Sequence, residues 1–142
     1  MIVYSNEDTN EMILSIGRYL DITPPDMVVG LKRGGLVPAV SLSHMFGVPM
    51  ESLSWSTRDF SQRELNLEVK DAVLEGLNVV FIDDINDSGA TLTEVQEAYG
   101  TADNIRYVSL VSRKGSVFNT DFTAAIIEDG TWVEFPWENI KL

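Results

Sequence analysis

The chain has 142 residues, 44% of them hydrophobic, and a formal net charge of −12. That length and make-up fit one globular domain with a sheet covered on both faces, and a second domain is not expected. With no cysteine, a disulfide framework, a thiolate metal site and a cysteine nucleophile are excluded, and the acidic balance argues against a generic nucleic-acid surface, which needs basic patches.

The first residues, Met-Ile-Val-Tyr-Ser-Asn-Glu-Asp, lack the basic start and apolar stretch of a signal peptide, and no apolar run approaches membrane-spanning length. The expectation is a cytoplasmic protein with no membrane partner. Glu7 to Leu20 then carries Met12, Ile13, Ile16, Tyr19 and Leu20 at helical spacing, with Ser5 or Asn6 as a cap. Thr23-Pro24-Pro25-Asp26 breaks that helix. Met27 to Leu31 reads as a strand, Val37 to Phe46 as a helix ended by Gly47, and Glu51 to Trp55 as another strand. A long polar loop follows to about Leu67. Val79 to Asp83, a helix from Thr91 to Tyr99, Tyr107 to Val111 and Ala124 to Ile127 complete a β-α-β series, which predicts a mostly parallel sheet.

Two stretches in this series carry chemistry. The first, Gly30-Leu31-Lys32-Arg33-Gly34-Gly35-Leu36-Val37-Pro38, is a strand end, two cations, two glycines and a helix start. Cations and free amides at a helix N-terminus make an anion pocket, although the same pattern also suits a tight turn with solvated charges.

The second, residues 79 to 91, is an apolar run that ends in Asp83 and Asp84 and passes through Asp87-Ser88-Gly89-Ala90-Thr91 into a helix. Four consecutive β-branched or aromatic residues suit a parallel strand buried on both faces. Its carboxyl end is the edge where open α/β sheets bind ligands, and the small-residue loop is sized for backbone amides to close around a phosphate. A calcium loop starting at Asp84 fails, because Val95 stands where a bidentate Glu is needed. Neither Gly-x-x-x-x-Gly-Lys-Ser/Thr nor Gly-x-Gly-x-x-Gly occurs.

Residues 79 to 91 resemble the phosphoribosyl-pyrophosphate motif of type I phosphoribosyltransferases, and the Lys32-Arg33-Gly34-Gly35 turn is similar to the pyrophosphate loop of the same enzymes. Thr131-Trp132-Val133-Glu134-Phe135-Pro136-Trp137-Glu138 looks like the C-terminal base-binding segment of bacterial xanthine-guanine phosphoribosyltransferases, and Ser61-Gln62-Arg63-Glu64-Leu65 looks like the end of their mobile loop.

The resemblance implies a three-layer type I phosphoribosyltransferase fold over residues 1 to 142, with a short C-terminal base-binding segment. It also implies transfer of the 5-phosphoribosyl group from phosphoribosyl pyrophosphate to a 6-oxopurine (xanthine, guanine or hypoxanthine), with Mg²⁺ as cofactor. By position, Asp83 and Asp84 would hold the ribose hydroxyls and a Mg²⁺ shell, Ser88, Gly89, Ala90 and Thr91 the 5′-phosphate, and Lys32, Arg33, Gly34 and Gly35 the diphosphate. A non-proline cis peptide is implied at Lys32-Arg33. Asp87 would accept the proton of the base, while Arg63, with Arg58, would arrive on loop closure.

Trp132 would stack on the purine beside Val133, and Glu134 would order a second metal through water. Trp137 and His44 read as structural. A Lys donates to the purine 6-oxo group in those enzymes. A gapless reading puts Arg113 there, Lys114 matches chemically one step later, and both are kept, Lys114 slightly ahead. Lys32, Arg33, Arg58, Arg63, Arg113 and Lys114 together predict a basic mouth on an acidic body. A homodimer or homotetramer is expected. A regulatory protein of the same fold that binds nucleotide or RNA, an orotate-type enzyme and a nucleotide-binding module without turnover are the alternatives.

Overall fold

The computed structural model describes residues 1–142, apart from the side chain of Gln62. Five strands, β2 (Met27–Leu31), β3 (Met50–Leu53), β4 (Val79–Asn86), β5 (Ile105–Arg113) and β6 (Phe122–Ile127), form one sheet in the order β3-β2-β4-β5-β6, every pair parallel. A two-residue strand, β1 (Ile2–Val3), pairs in parallel with a second, β7 (Val133–Glu134), outside that sheet.

Strand alternation sorts the core into two layers. Val80 and Ile82 join Ile13, Ile16, Leu20, Ala39 and Leu42 from helices α1 (Asn6–Asp21) and α2 (Leu36–Phe46). Val79 and Phe81 join Val69, Val73, Leu92 and Val95 from helices α3 (Leu67–Leu74) and α4 (Ala90–Tyr99) on the other face. The result is the expected three-layer α/β architecture, with β4 buried on both sides.

Local chemistry sets the helix ends. Ser5 caps α1 in a reciprocal box, its Oγ accepting from Asp8 N at 3.0 Å while Ser5 N donates to Asp8 Oδ2 at 2.8 Å. Gly47 closes α2 at φ 64°, a left-handed conformation that a side chain would resist. Helix α3 is not legible in the sequence, because only Val69, Ala72 and Val73 among its eight residues are buried, too short a stripe to read as periodic. Strands β1 and β7 escape sequence reading for the same reason, two residues being no pattern at all. Strand β4 runs three residues beyond its expected end and carries both acids within it. No helix is long and apolar enough to cross a membrane among the described residues.

Candidate active site

The site lies at the carboxyl ends of β2, β4 and β5. Asp83 and Asp84 are consecutive in β4, so their side chains leave on opposite sides. Asp84 lines a cleft of about 700 Å³ together with Arg33, Gly34, Trp137 and Glu138. Asp83 instead lines a recess of about 60 Å³ with Asp87, Ser88, Gly89 and Thr91. One adjacent pair of acids thus serves two separate hollows, each beside one of the two turns singled out in the sequence.

Close approach explains the glycines. A Cβ at Gly34 would collide with the Asp84 carboxylate, and one at Gly35 would stand 2.6 Å from Leu31 O. Gly89 enters α4 at φ 94°, where a Cβ would also meet Phe118 N at 2.6 Å. The Lys32-Arg33 peptide is cis, as implied by the resemblance.

The two acids also shape one another electrically. Burial, then the charge and hydrogen bonding of Asp84, push the Asp83 carboxyl well above the usual carboxylate range, against the opposing effect of a 2.9 Å bond from Asp84 N to Asp83 Oδ1. A cation or ribose hydroxyls would relieve that repulsion. Among the described residues, no group of three or more His, Cys, Asp or Glu side chains could hold a metal by itself. Two hard carboxylates beside an anion pocket fit Mg²⁺ carried in with a diphosphate, since that ion is usually held by one or two carboxylates plus substrate phosphates.

Asp87 has a partner from the end of β5. Arg113 Nε donates to Asp87 Oδ1 at 2.5 Å, and its Nη1 donates to Glu128 O at 3.1 Å and Thr131 O at 2.9 Å. Lys114 points away, 3.8 Å from Glu128 across two exposed side chains. Of the two residues kept for the base contact, Arg113 is the one bonded to Asp87, while Lys114, slightly preferred from the sequence, faces Glu128.

Other sequence-predicted residues lie further out. Trp132 is 70% exposed, and with Val133, Glu134 and Glu138 it lines a separate surface hollow. Glu134 is thus not on the Asp84 cleft, and Glu138 is the acid that borders both hollows. Trp137, read from the sequence as structural, stacks on Phe135 at 4.8 Å and also lines the cleft. Pro136 opens a 3-10 turn that brings Trp137 and Glu138 there. No property of the octapeptide alone distinguishes the two tryptophans.

Arg63 is folded back rather than free. Its Nη2 lies 2.8 Å from Glu94 Oε1, its Nε donates to Ser56 O at 2.8 Å, and its guanidinium covers the Phe60 ring at 3.7 Å. The neighbouring Gln62 side chain is outside the described residues. The basic mouth is correspondingly reduced: Arg63 and Arg113 are paired with Glu94 and Asp87, and of the six cations Arg33 is the one that lines the cleft. His44 is exposed on α2, away from both hollows.

Comparison with known proteins decides what this geometry belongs to. The sequence model of the phosphoribosyl transferase domain family matches residues 7–139. The chain belongs to that family. A structure of a purine phosphoribosyltransferase from Pyrococcus horikoshii superposes with a TM-score of 0.84 at 27% identity, over 99% of this chain and 96% of the other. Two further structures share the fold at 19% identity. One is a xanthine-guanine-hypoxanthine phosphoribosyltransferase from Helicobacter pylori, TM-score 0.71 over 97% and 93% of the chains. The other is a hypothetical Neisseria gonorrhoeae protein with bound ppGpp, TM-score 0.73 over 98% and 89%. The three-layer arrangement is the type I phosphoribosyltransferase fold, and the two hollows flanking β4 occupy the carboxyl edge of its sheet.

Proposed function

We propose that the protein transfers the 5-phosphoribosyl group of phosphoribosyl pyrophosphate to a 6-oxopurine, xanthine, guanine or hypoxanthine, giving the nucleoside monophosphate and pyrophosphate. The observation that carries this reading is the division of Asp83 and Asp84 between two hollows, a cleft of about 700 Å³ beside the Lys32 to Gly35 turn and a recess of about 60 Å³ beside the Ser88 to Thr91 loop. A phosphoribosyl diphosphate presents two anions separated by one ribose, and in this reading the carboxylate pair would stand between them. The purine enters by the 27% identity to the Pyrococcus horikoshii purine enzyme and by the Thr131 to Glu138 segment.

In the reaction the bond from the anomeric carbon to the diphosphate oxygen breaks, a bond to a purine ring nitrogen forms, and the ring N–H proton leaves. Arg33, Lys32 and the amides of Gly34 and Gly35 would hold the departing diphosphate, whose charge grows as the bond breaks. The Ser88 to Thr91 amides at the N-terminus of α4 would bind the 5′-phosphate. Asp83 and Asp84 would accept hydrogen bonds from the ribose hydroxyls and hold Mg²⁺, which when bound neutralises diphosphate charge. Asp87 would take the proton, a step worth about 10² to 10⁴ in rate, while Arg113 keeps its carboxylate oriented. Arg63 would need to leave Glu94 to reach substrate, shutting water out as the loop closes. Trp132 would stack on the base. A homodimer or homotetramer in the cytoplasm belongs to the same proposal and is checked by light scattering.

A pyrophosphate-release assay with phosphoribosyl pyrophosphate, Mg²⁺ and a panel of adenine, hypoxanthine, xanthine, guanine, orotate and uracil tests the reading. Turnover is expected with one or more of the three 6-oxopurines. Silence across the panel, or turnover with orotate or uracil alone, overturns it.

A further inference from the structure

Asn86 immediately precedes Asp87, is only 3% exposed, and has no part in the chemistry above. It points into the sheet end, where an apolar residue would be the ordinary occupant of a β4 position paired with β5. A carboxamide buried there is costly unless its donors and acceptor are met. All are met, two of them by the Ser116–Phe118 turn and one by Ser112 of β5. Asn86 Oδ1 accepts from Ser116 Oγ at 2.9 Å, while Nδ2 donates to Phe118 O at 2.8 Å and to Ser112 Oγ at 3.3 Å.

The same turn touches the phosphate loop directly. Val117 N donates to Ser88 O at 3.0 Å. The Gly89 backbone lies so close that an added Cβ would be 2.7 Å from Ser116 Oγ. Behind the turn the hydroxyls continue, with Ser112 and Ser109 3.0 Å apart and Ser109 and Thr123 3.1 Å apart, so the chain of polar contacts crosses from β4 to β6. The residues that would grip a phosphate are therefore backed by a wall built from a different part of the chain.

We propose that Asn86 is a positioning residue that fastens the Ser88 to Thr91 loop to the Ser116–Phe118 turn, and so sets the spacing of the loop amides for a 5′-phosphate. The inference rests on the phosphoribosyl-transfer reading and adds a residue to it. Asn86 borders the recess beside Asp83 and Ser88, but its amide oxygen and nitrogen are already bonded to Ser116, Phe118 and Ser112, so its part is to position the loop and not to bind the phosphate. It acts by keeping the loop amides in the binding geometry before the ligand arrives, which lowers the cost of ordering them on binding.

Calorimetric titration separates this from a general role in stability. Ribose 5-phosphate and Mg²⁺-phosphoribosyl pyrophosphate engage the loop, whereas Mg²⁺-pyrophosphate engages the Lys32 to Gly35 side. Asn86→Leu, close in volume, is expected to weaken the first two ligands about tenfold, the size of a lost hydrogen-bond set, and to leave Mg²⁺-pyrophosphate within about twofold of the parent protein. Ser116→Ala removes the bond to Asn86 Oδ1, together with the 3.2 Å bond from Phe118 N to Ser116 Oγ that shapes the same turn, while keeping the buried amide, and is expected to weaken the same two ligands by about threefold. If Asn86→Leu does not fold, Ser116→Ala alone carries the test. Parental affinity for ribose 5-phosphate in the folded variants, or an equal loss for Mg²⁺-pyrophosphate, overturns the proposal and leaves the transfer reading standing. A parent protein that binds neither phosphoribosyl ligand overturns both.

Discussion

Arg113 and Asp87, 26 positions apart in the chain, meet through a 2.5 Å bond from Nε to Oδ1, and the same guanidinium holds the backbone carbonyls of Glu128 and Thr131. One side chain thus links the proposed proton acceptor to the segment that leads into Trp132. Arg113→Met should release both. Its cost should be about 1 to 3 kcal/mol of stability from the lost bonds, since charged donors are each worth more than neutral ones, with a raised Michaelis constant for the purine. Lys114→Ala should stay within about 0.5 kcal/mol, as expected of an exposed ion pair. Urea denaturation and steady-state kinetics on the two variants check this. Equal effects would remove the distinction between Arg113 and Lys114.

Asp87→Asn keeps the size of the side chain and removes its basicity. Turnover should fall by about 10² to 10⁴, with little change in the affinity for phosphoribosyl pyrophosphate. A loss seen in the Michaelis constant alone would mean that Asp87 binds substrate and moves no proton.

The raised Asp83 carboxyl gives a pH signature in the metal-free protein. Burial and then Asp84 lift the folded-state value above the unfolded one, so between the two the native state holds more protons than the unfolded state. Stability contributed by Asp83 must then decline as pH rises from the ordinary carboxylate range through the raised value. Denaturation midpoints followed upward from about pH 4, the ordinary carboxylate value, should show that decline, and Asp83→Asn should flatten it. Mg²⁺ with phosphoribosyl pyrophosphate should restore stability at the upper end in the parent protein but not in Asp83→Asn with Asp84→Asn. A parent profile that Asp83→Asn leaves unchanged would contradict the assignment.

Arg63 is restrained by Glu94, which also accepts from Trp55 Nε1 at 3.2 Å. Glu94→Gln should weaken that hold, and the segment around residues 56–62 should be cut faster by limited proteolysis. If Arg63 acts on loop closure, Glu94→Gln should also retain or raise turnover, whereas Arg63→Ala should lower it. A drop of the same size in both would mean that the Arg63 to Glu94 pair is itself the working arrangement.

Trp132 and Trp137 should separate by ligand. Trp132→Ala is expected to cost about 1 to 3 kcal/mol of purine affinity, the usual worth of base stacking, and to leave phosphoribosyl pyrophosphate unaffected. Trp137→Ala should weaken phosphoribosyl pyrophosphate instead, since that ring borders the cleft beside Arg33 and Asp84, and should also lower stability through the lost stack on Phe135. Competition titrations with each ligand distinguish the two outcomes, and identical profiles would refute a divided role.

The parts of the site made from consecutive residues were legible in the chain itself. A run of four apolar residues, two acids and a small-residue turn before a helix specifies a buried strand, its exit edge and an amide-lined loop, because strand period, turn chemistry and helix start all act over a few positions. The Lys32 to Gly35 turn and the parallel sheet followed from the same local rules. What tertiary structure alone decided was how those pieces face one another. Arg113 rather than Lys114 turns toward Asp87, Arg63 turns back to Glu94, Glu138 rather than Glu134 borders the Asp84 cleft, and Asn86 is matched by Ser116 and Phe118. Each of these pairings joins residues far apart in sequence, and each depends on which face of a strand or turn a side chain occupies. Along a strand a shift of one position reverses that face, so the register of β4 against β5 settles the Asn86 and Arg113 contacts, while the packing of the loop before α3 against α4 settles that of Arg63.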